Sequence, residues 1–528
     1  MSTMEKIMHR SQNISEACVN YIQMHEKYLP FYVLMVSYVV RVIMYVIRVP
    51  AYWGDEVFLN STVPLSLQEI LEVYSYELYP PGHFLLAKLL PLTDVLMTRI
   101  TAVSVLYAGV CAALFYAHST SLLAQRWLAY GLAMFLTSFS FLLVTLDMRV
   151  ELFTSPFALL FYLVVVQILT TKQINKRELV LLYGSMITVL CISYSAYAFL
   201  GISLAFVSLI VRRRSIVILL FVQMGVVALL WNLLIGMQYI NYHERLIAKG
   251  YQYNSIFHSL KYHLTGYLTP SFLSDMPAIL FLILLVWSFY VKRKSASLTL
   301  FRSMVVLSVI LILFAYFTRL LPQVRHVYVL YIPVSILVGF GLAGIRTLAL
   351  RILLVSFFLF TGLVSHQHRN RIFSSYLREM VELTQRVVQQ SDEATGFVSD
   401  YSLVPYLLKM DSFRNEERFR PVSINTKLDL DETMLTREHL RSDYSMQRSD
   451  RRDRETVRKI LKGKQLSQYI FYEVRPIEHL NFSHFDAKRT IFHVLIEQCK
   501  LEDILHSKDS TLQLLFFDGC SFDVVEKT

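Results

Sequence analysis

Apolar residues in this chain gather in blocks separated by short polar stretches. A helix that crosses a bilayer needs about 20 mostly apolar residues. Eleven blocks approach that length, near 29–49, 97–117, 127–146, 153–170, 179–196, 198–211, 215–236, 277–291, 299–317, 327–345 and 350–365. Several are short, and the pair at 179–211 reads as a broken or re-entrant crossing. The first block holds Arg41 and Arg48 and is followed by no small-residue cleavage site. It is too long and too charged for a cleaved signal sequence and reads as a retained anchor. The pattern predicts a mainly α fold, a polytopic transmembrane bundle of about eleven spans over residues 1–365.

After residue 365 the blocks stop. Residues 396–400, 468–474 and 512–518 are short apolar or β-branched runs that predict strands. Helical spacing occupies 371–390, 452–463 and 488–504. Residues 366–528 therefore read as a small soluble α/β domain, long enough to hold a core of its own. The stretch 448–464 mixes bases and acids and reads as a solvated helix or loop, with docking to anionic lipid or to an acceptor as the alternative.

The polar connections divide into two kinds. Lys172, Lys176 and Arg177, then Arg212–Arg214, then Lys292–Lys294, then Arg346 fall in alternate loops, in phase with Lys6 and Arg10 before the first span. Basic residues in short loops mark the cytoplasmic side. The N-terminus is accordingly cytoplasmic, and after eleven spans the C-terminal domain is extracytoplasmic. The other loops, at 50–96, around Asp147–Glu151, at 237–276 and at Arg319–His326, carry mixed acids, histidines, tyrosines and prolines. Ionisable groups thus collect at one membrane surface.

Composition sharpens this picture. Of 528 residues 55% are hydrophobic and 17% charged, with net charge +11 and mean hydropathy +0.45. That excludes a disordered chain, a coiled coil and a soluble nucleic-acid binder. The positive excess belongs largely to the orienting loops. Five cysteines without a Cys-x-x-Cys pair make neither a disulfide scaffold nor a zinc framework. Cys499 and Cys520 either join in a disulfide or stay as two buried thiols. Asn60 and Asn481 begin glycosylation sequons.

The loop at 50–96 holds the densest chemistry. Asp55 and Glu56 follow the first span directly. Adjacent carboxylates point different ways, so one can act as a base while the other holds a ligand; a solvated helix-end pair has the same sequence. Ser66-Leu67-Gln68-Glu69 is a capping box. Leu67, Ile70, Leu71, Tyr74 and Leu78 then recur at helical spacing, which predicts a short amphipathic helix, in the interface plane or packed on protein. Pro80 and Pro81 stop it, and His83 and Lys88 follow. The tyrosines and histidines of 237–276 suit an aromatic belt or a lid.

These residues, in this order, resemble the GT-C glycosyltransferases of the dolichyl-phosphate-mannose protein mannosyltransferase type and the related lipid A aminoarabinose transferases. GDEVF resembles the family's Asp-Glu start. YPPGH resembles its His-Pro-Pro-Leu motif, with Tyr79 in place of His. LDMRVELF, ISYSAYAFLG (with Ser195 and Ala196 departing from the pattern) and QVRHVYVLYIP resemble later family segments. The resemblance covers roughly 30–345.

It implies an integral-membrane enzyme that moves a sugar from a polyprenyl-phosphate donor to a hydroxyl acceptor (protein, lipid or envelope glycan) on the non-cytoplasmic side. Asp55 would be the base, Glu56 would orient the acceptor, and one direct displacement would invert the anomeric centre. Arg149 and Arg325, with His326 and Lys88 secondary, would hold the donor phosphate, since the guanidinium fork matches phosphate geometry. Tyr79, His83, Tyr194 and Tyr197 would line the substrates. Some relatives use a divalent metal and others do not; Asp55, Glu56 and His83 could form an oxygen and nitrogen site, but their spacing is not diagnostic and the metal is left unassigned; no other cofactor is implied. The partners are membrane lipids, the lipid-linked donor and the acceptor, not nucleic acid. The absence of a large luminal domain between spans points to a cell-membrane enzyme. The alternative, a lipid or oligosaccharide transporter or flippase, predicts charges at mid-helix and internal repeats, and neither stands out. A non-catalytic subunit with a sensing C-terminal domain is the third reading.

Overall fold

The computed structural model describes residues 25–48, 66–67, 82–89, 95–138, 141–142, 150–171, 175–211, 225, 276–291, 295–318, 329–390, 393–399, 418–423, 458, 461–463, 465–474, 494–506 and 512–522. They fall into two compact units, one within Met1–Val49 and Leu90–Asn370, the other within Pro50–Leu89 and Arg371–Thr528.

The first unit is a helix bundle. Its helices are α1 (Leu29–Ile47), α3 (Val95–Ser119), α4 (Arg126–Thr137), α5 (Val150–Thr171), α6 (Lys176–Ile192), α7 (Tyr194–Val211), α8 (Met276–Tyr290), α9 (Ala296–Thr318), α10 (Tyr331–Ala343) and the first half of α11 (Leu348–Gln390). A short helix, α2 (Gly82–Ala87), belongs to the second unit. Among the described residues four stretches are long and apolar enough to cross a membrane: Glu26–Ile47, Leu96–Ser119, Leu152–Thr171 and Leu348–Gln367. Three shorter apolar helices accompany them. The chain is a mainly helical, multi-pass membrane protein. Ten of the eleven predicted spans meet a described helix; 215–236 lies outside the described residues apart from Gly225.

Local chemistry sets the helix ends. Asn175 and Glu178 form a reciprocal capping box at the start of α6, with Asn175 Oδ1 accepting from the Glu178 N–H at 2.9 Å and Glu178 Oε2 accepting from the Asn175 N–H at 3.1 Å. The break expected in 179–211 is a single extended residue, Ser193. Its N–H donates to the Val189 carbonyl, closing α6, while its Oγ accepts from the Ala196 N–H and opens α7.

The span expected to end at 365 instead continues as one helix through Gln390, 43 residues and about 65 Å long. The intervening HQHRN contains no Gly or Pro. It changes the polarity of the helix surface without stopping the helix.

Helix packing is intimate where glycines meet. A Cβ placed on Gly131 of α4 would stand 2.6 Å from Ile336 Cα of α10, and one on Gly362 of α11 2.6 Å from the Thr137 carbonyl oxygen of α4. Small residues let backbones touch where lipid supplies no hydrophobic drive between helices. Of the four long apolar spans α5 is the most buried, 78% of it, against 33% for α1 and α11.

The sense of each helix follows from its contacts. Tyr28 meets His118, Phe31 meets Phe115 and Ser37 meets Tyr107, so α1 and α3 are antiparallel. Glu26 meets Arg351 and Tyr45 meets His366, so α1 and α11 are parallel. Arg126 and Tyr130 also meet Glu26, while Phe141, beyond the end of α4, lies against Arg41, so α4 shares that direction.

The second unit contains a five-stranded mixed sheet in the order β2-β1-β3-β5-β4: β1 (Thr395–Ser399), β2 (Phe419–Ser423), β3 (Gln468–Val474), β4 (Lys500–His506) and β5 (Leu512–Asp518). Strand β1 pairs parallel with β2 and β3; β5 pairs antiparallel with β3 and β4. Its core joins Leu461, Tyr469, Phe471, Val494, Leu495, Leu515, Phe517 and Phe522, and Leu466 packs against it with the disulfide Cys499–Cys520. Strands β1, β3 and β5 match the runs read from the sequence. Residues 488–504 correct it: among those described, only 494–498 are helical and 500–506 form β4. A register shift between Leu501 and Asp503 breaks the two-residue alternation of this edge strand. Strand β2 holds Pro421, which an edge position tolerates.

Candidate functional site

Two polar layers interrupt the apolar interior of the bundle. The first lies where α1, α4 and α11 begin. Glu26, just before α1, is buried. Its carboxylate receives Arg126 Nε and Arg351 Nη2, each at 2.7 Å, and the Tyr130 hydroxyl donates to it at 2.8 Å. Arg351, almost wholly buried, also lies 5.3 Å from the Tyr130 ring centre. The carboxylate accepts three donors and the buried guanidinium has its counter-ion, so this layer is compensated and joins three helices. A hollow of about 400 Å³ lined by Gln125, Arg126 and Trp127 opens at this end. Its charged residue is already paired, so it offers an incoming ligand little.

The second layer lies toward the far end of α1, where it meets α3 and the middle of α11. Arg41 of α1 is fully buried, as is His366 of α11, and Arg99 of α3 is 1% exposed. The Arg41 guanidinium lies 5.6 Å from the Tyr107 ring centre and 6.0 Å from that of Phe141. The Tyr107 hydroxyl shares a 2.5 Å hydrogen bond with Ser37 Oγ, which fixes the ring. His366 Nε2 lies 3.3 Å from the Tyr45 hydroxyl, and the charges of Arg41 and Arg99 both act on its ring. Among the described residues the three Arg41 nitrogens, His366 Nδ1 and Ser365 Oγ, all buried, make no well-aligned hydrogen bond, although the Tyr107 hydroxyl stands beside the Arg41 guanidinium.

Magnitudes show what this layer lacks. A desolvated cation–π contact contributes about 2 kcal/mol. Burying an ion costs several kcal/mol even after relaxation, and only a paired, hydrogen-bonded counter-charge offsets it. Among the described residues Arg41 meets two aromatic faces and no carboxylate. The arrangement is a buried, aromatic-walled cationic layer.

These charges correct the sequence reading, in which charge at mid-helix did not stand out. Arg41 and Arg302 sit inside α1 and α9, while Arg99 and Arg351 lie near the starts of α3 and α11. The signal was present: an ionisable residue inside an apolar span marks a functional site by default.

Of the residues singled out in the sequence, Asp55, Glu56, Tyr79, Arg149, Arg325 and His326 lie outside the described residues, as do 237–275, Asn60 and Asn481. His83 is buried on α2, and Lys88 is exposed in the turn after it. Tyr194 opens α7; Tyr197, one turn on, is buried. Among the described residues no three His, Cys, Asp or Glu side chains gather at metal-holding range; two of the three residues considered for a metal, Asp55 and Glu56, lie outside them.

No protein-family model and no curated protein matches the chain. Among solved structures it is similar to the crystal structure of ArnT from Cupriavidus metallidurans bound to undecaprenyl phosphate. The TM-score is 0.46 and the identity 12%, over 92% of this chain and 97% of that one.

Proposed function

We propose that this chain is an integral-membrane glycosyltransferase that moves a sugar from a polyprenyl phosphate to a hydroxyl acceptor on the non-cytoplasmic side, with inversion. The observation that carries the reading is the buried cationic layer of Arg41, Arg99 and His366, where the Arg41 guanidinium makes no well-aligned hydrogen bond among the described residues. An anion that enters a membrane-spanning bundle far enough to meet Arg41 is well served by a lipid tail, and a polyprenyl phosphate has one. The layer lies toward the end of α1, the end nearer Asp55 and Glu56 in sequence. The ordered motifs of the loops support the same reading. So does the disulfide Cys499–Cys520, since such bonds persist in oxidising compartments.

In this reading Asp55 takes the acceptor proton and Glu56 orients the acceptor. Arg149 and Arg325, with His326 and Lys88, meet the donor phosphate from the surface. Tyr79, His83, Tyr194 and Tyr197 contact sugar or acceptor. A second reading is favoured by the same buried charges: a flippase that carries a lipid phosphate without transferring sugar.

Sugar transfer from a panel of radiolabelled polyprenyl-phosphate sugars, with membrane extract as acceptor, tests the proposal. Wild type transfers from at least one donor, and Asp55→Ala and Arg149→Ala lose about 10²–10⁴-fold. No transfer from any donor, or undiminished transfer in both variants, rejects it. Lipid movement without transfer selects the flippase.

A further inference from the structure

We propose that the junction of α1 and α3 holds the headgroup of an anionic phospholipid from the adjoining leaflet, with Lys27 and His118 at its phosphate and Phe31 and Phe115 against its acyl chains. The inference is independent of the glycosyltransferase reading. It concerns the end of the bundle at which α1 begins, whereas Asp55 and Glu56 follow the far end of α1 in the sequence.

The two helices are antiparallel, so the start of one span lies beside the end of the other. Lys27 is the second residue of the span Glu26–Ile47, and His118 is the last but one of Leu96–Ser119. Both stand at the depth where hydrocarbon gives way to headgroups. Tyr28 joins them: the Lys27 ammonium lies 4.9 Å from its ring centre, and the His118 ring 5.4 Å from it. About one turn deeper on each helix, Phe31 and Phe115 meet at 5.4 Å. Phe31 also meets the His118 ring edge-on at 6.4 Å, which ties the two levels together. Phe115 is 60% exposed and Tyr32 55%, so the lower level opens outward from the bundle. The patch is cationic at headgroup depth and aromatic below, the same order as in an anionic phospholipid's binding partner.

Charge selects the headgroup. Glu26, next to Lys27 in the chain, is already committed: Oε1 accepts from Arg351 and Tyr130, and Oε2 pairs with Arg126. The other acids among the described residues of this unit are Glu151 and Glu178. Glu151 is in the first turn of α5, whose last turn is the one that reaches this end, through Thr170 and Gln125. Glu178 is turned to the cap of α6. Lys27, Arg126 and Arg351 thus stand against one carboxylate, which leaves surplus positive charge where the headgroups lie. Each basic residue at an anionic membrane surface strengthens attachment about fivefold. A zwitterionic headgroup brings its own ammonium to the same place and forfeits much of that gain. The His118 imidazole adds an N–H that can donate to a phosphate oxygen in either protonation state.

Lipid retention by the full-length protein, read by native mass spectrometry from mixed micelles, tests this. The probes are phosphatidylglycerol, phosphatidylcholine with the same chains, and water-soluble glycerol 3-phosphate. Wild type is expected to retain phosphatidylglycerol at least about fivefold better than phosphatidylcholine. Glycerol 3-phosphate at millimolar concentration should not displace it, because the chains contribute apolar burial that the free anion lacks. Lys27→Gln should lower phosphatidylglycerol retention about fivefold, and adding His118→Gln should lower it further. Lys27→Arg should keep it. Phe115→Ala should weaken both lipids alike. The control is Lys176→Gln, an exposed lysine that opens α6 at the same end of the bundle; it should change retention less than about twofold. A loss with Lys176→Gln as large as with Lys27→Gln would assign the attraction to the basic surface in general and overturn the inference. Wild-type retention by the Lys27→Gln/His118→Gln double variant overturns it, as does full displacement by glycerol 3-phosphate. The melting temperature of Lys27→Gln in lipid-free detergent should match wild type within about 2 °C. A large drop would make Lys27 a structural residue and likewise overturn the inference.

Discussion

A Cβ on Gly339 of α10 would stand 2.2 Å from the backbone nitrogen of Gly131 on α4, and 2.4 Å from the Trp127 carbonyl oxygen. One residue along, Trp127 and Phe340 stack at 4.1 Å. The two helices touch backbone to backbone, and no rotamer relieves a methyl group there. Gly339→Ala should destabilise the bundle by about 1–3 kcal/mol, and Gly339→Leu should prevent recovery of monodisperse protein. Gly184→Ala is the control, because nothing lies within 4 Å of its added Cβ. A Gly339→Ala melting curve that matches wild type would show that the contact is looser than described.

Glu26 and Arg351 should behave as a coupled pair. Glu26→Gln leaves a buried guanidinium without its counter-ion and should cost about 3–5 kcal/mol. Adding Arg351→Met should recover much of that loss, because both charges are then gone. Tyr130→Phe removes one hydrogen bond to the carboxylate and should cost about 1.5–3 kcal/mol. A double-mutant cycle by thermal or denaturant melting measures the coupling. Strict additivity of Glu26→Gln and Arg351→Met would contradict it.

The bond between Cys499 and Cys520 closes a loop of sequence separation 21, worth about 3 kcal/mol. Alkylation of the denatured, unreduced protein should label Cys111 and Cys191, the free thiols among the described residues, and leave Cys499 and Cys520 unlabelled until a reductant is added. Replacing both bonded cysteines by alanine should make the strand-bearing region cleave faster in limited proteolysis. Equal labelling at all four positions before reduction would refute the bond in the expressed protein.

The basic loops make a topology prediction. Reporter fusions after Arg214 or Lys294 should read as cytoplasmic, and fusions after Asn60 or within the C-terminal sheet as external. A cytoplasmic signal from residues 50–96 would remove the side of the membrane on which the transfer chemistry is proposed.

Much of the bundle was legible because hydropathy acts locally: twenty apolar residues declare a span wherever their neighbours lie. The strands β1, β3 and β5 were legible for the same reason, as compact apolar runs. Strand β4 was not, because Lys500–His506 carries charges and a bulge that disrupts its alternation, and it becomes a strand only by pairing with β5. The continuity of α11 through Gln390 was hidden because a change in polarity resembles a change in structure. The inner site was half visible. Arg41 is visible as a charge in apolar text, Arg99 drew no attention there, and their convergence with His366 depends on three helices meeting.

Glu26 and Tyr45 bracket the first long helix, and their partners Arg351 and His366 belong to the last apolar helix, with 321 residues separating Tyr45 from His366. During synthesis the opening helix therefore enters the bilayer carrying Glu26 and Arg41 before the partners that its final state requires exist. At ribosomal speed the gap is about 15–65 s. The first and last apolar helices therefore join only at the end of biogenesis, and a chain cut short before α11 would present an incomplete polar seam to membrane quality control.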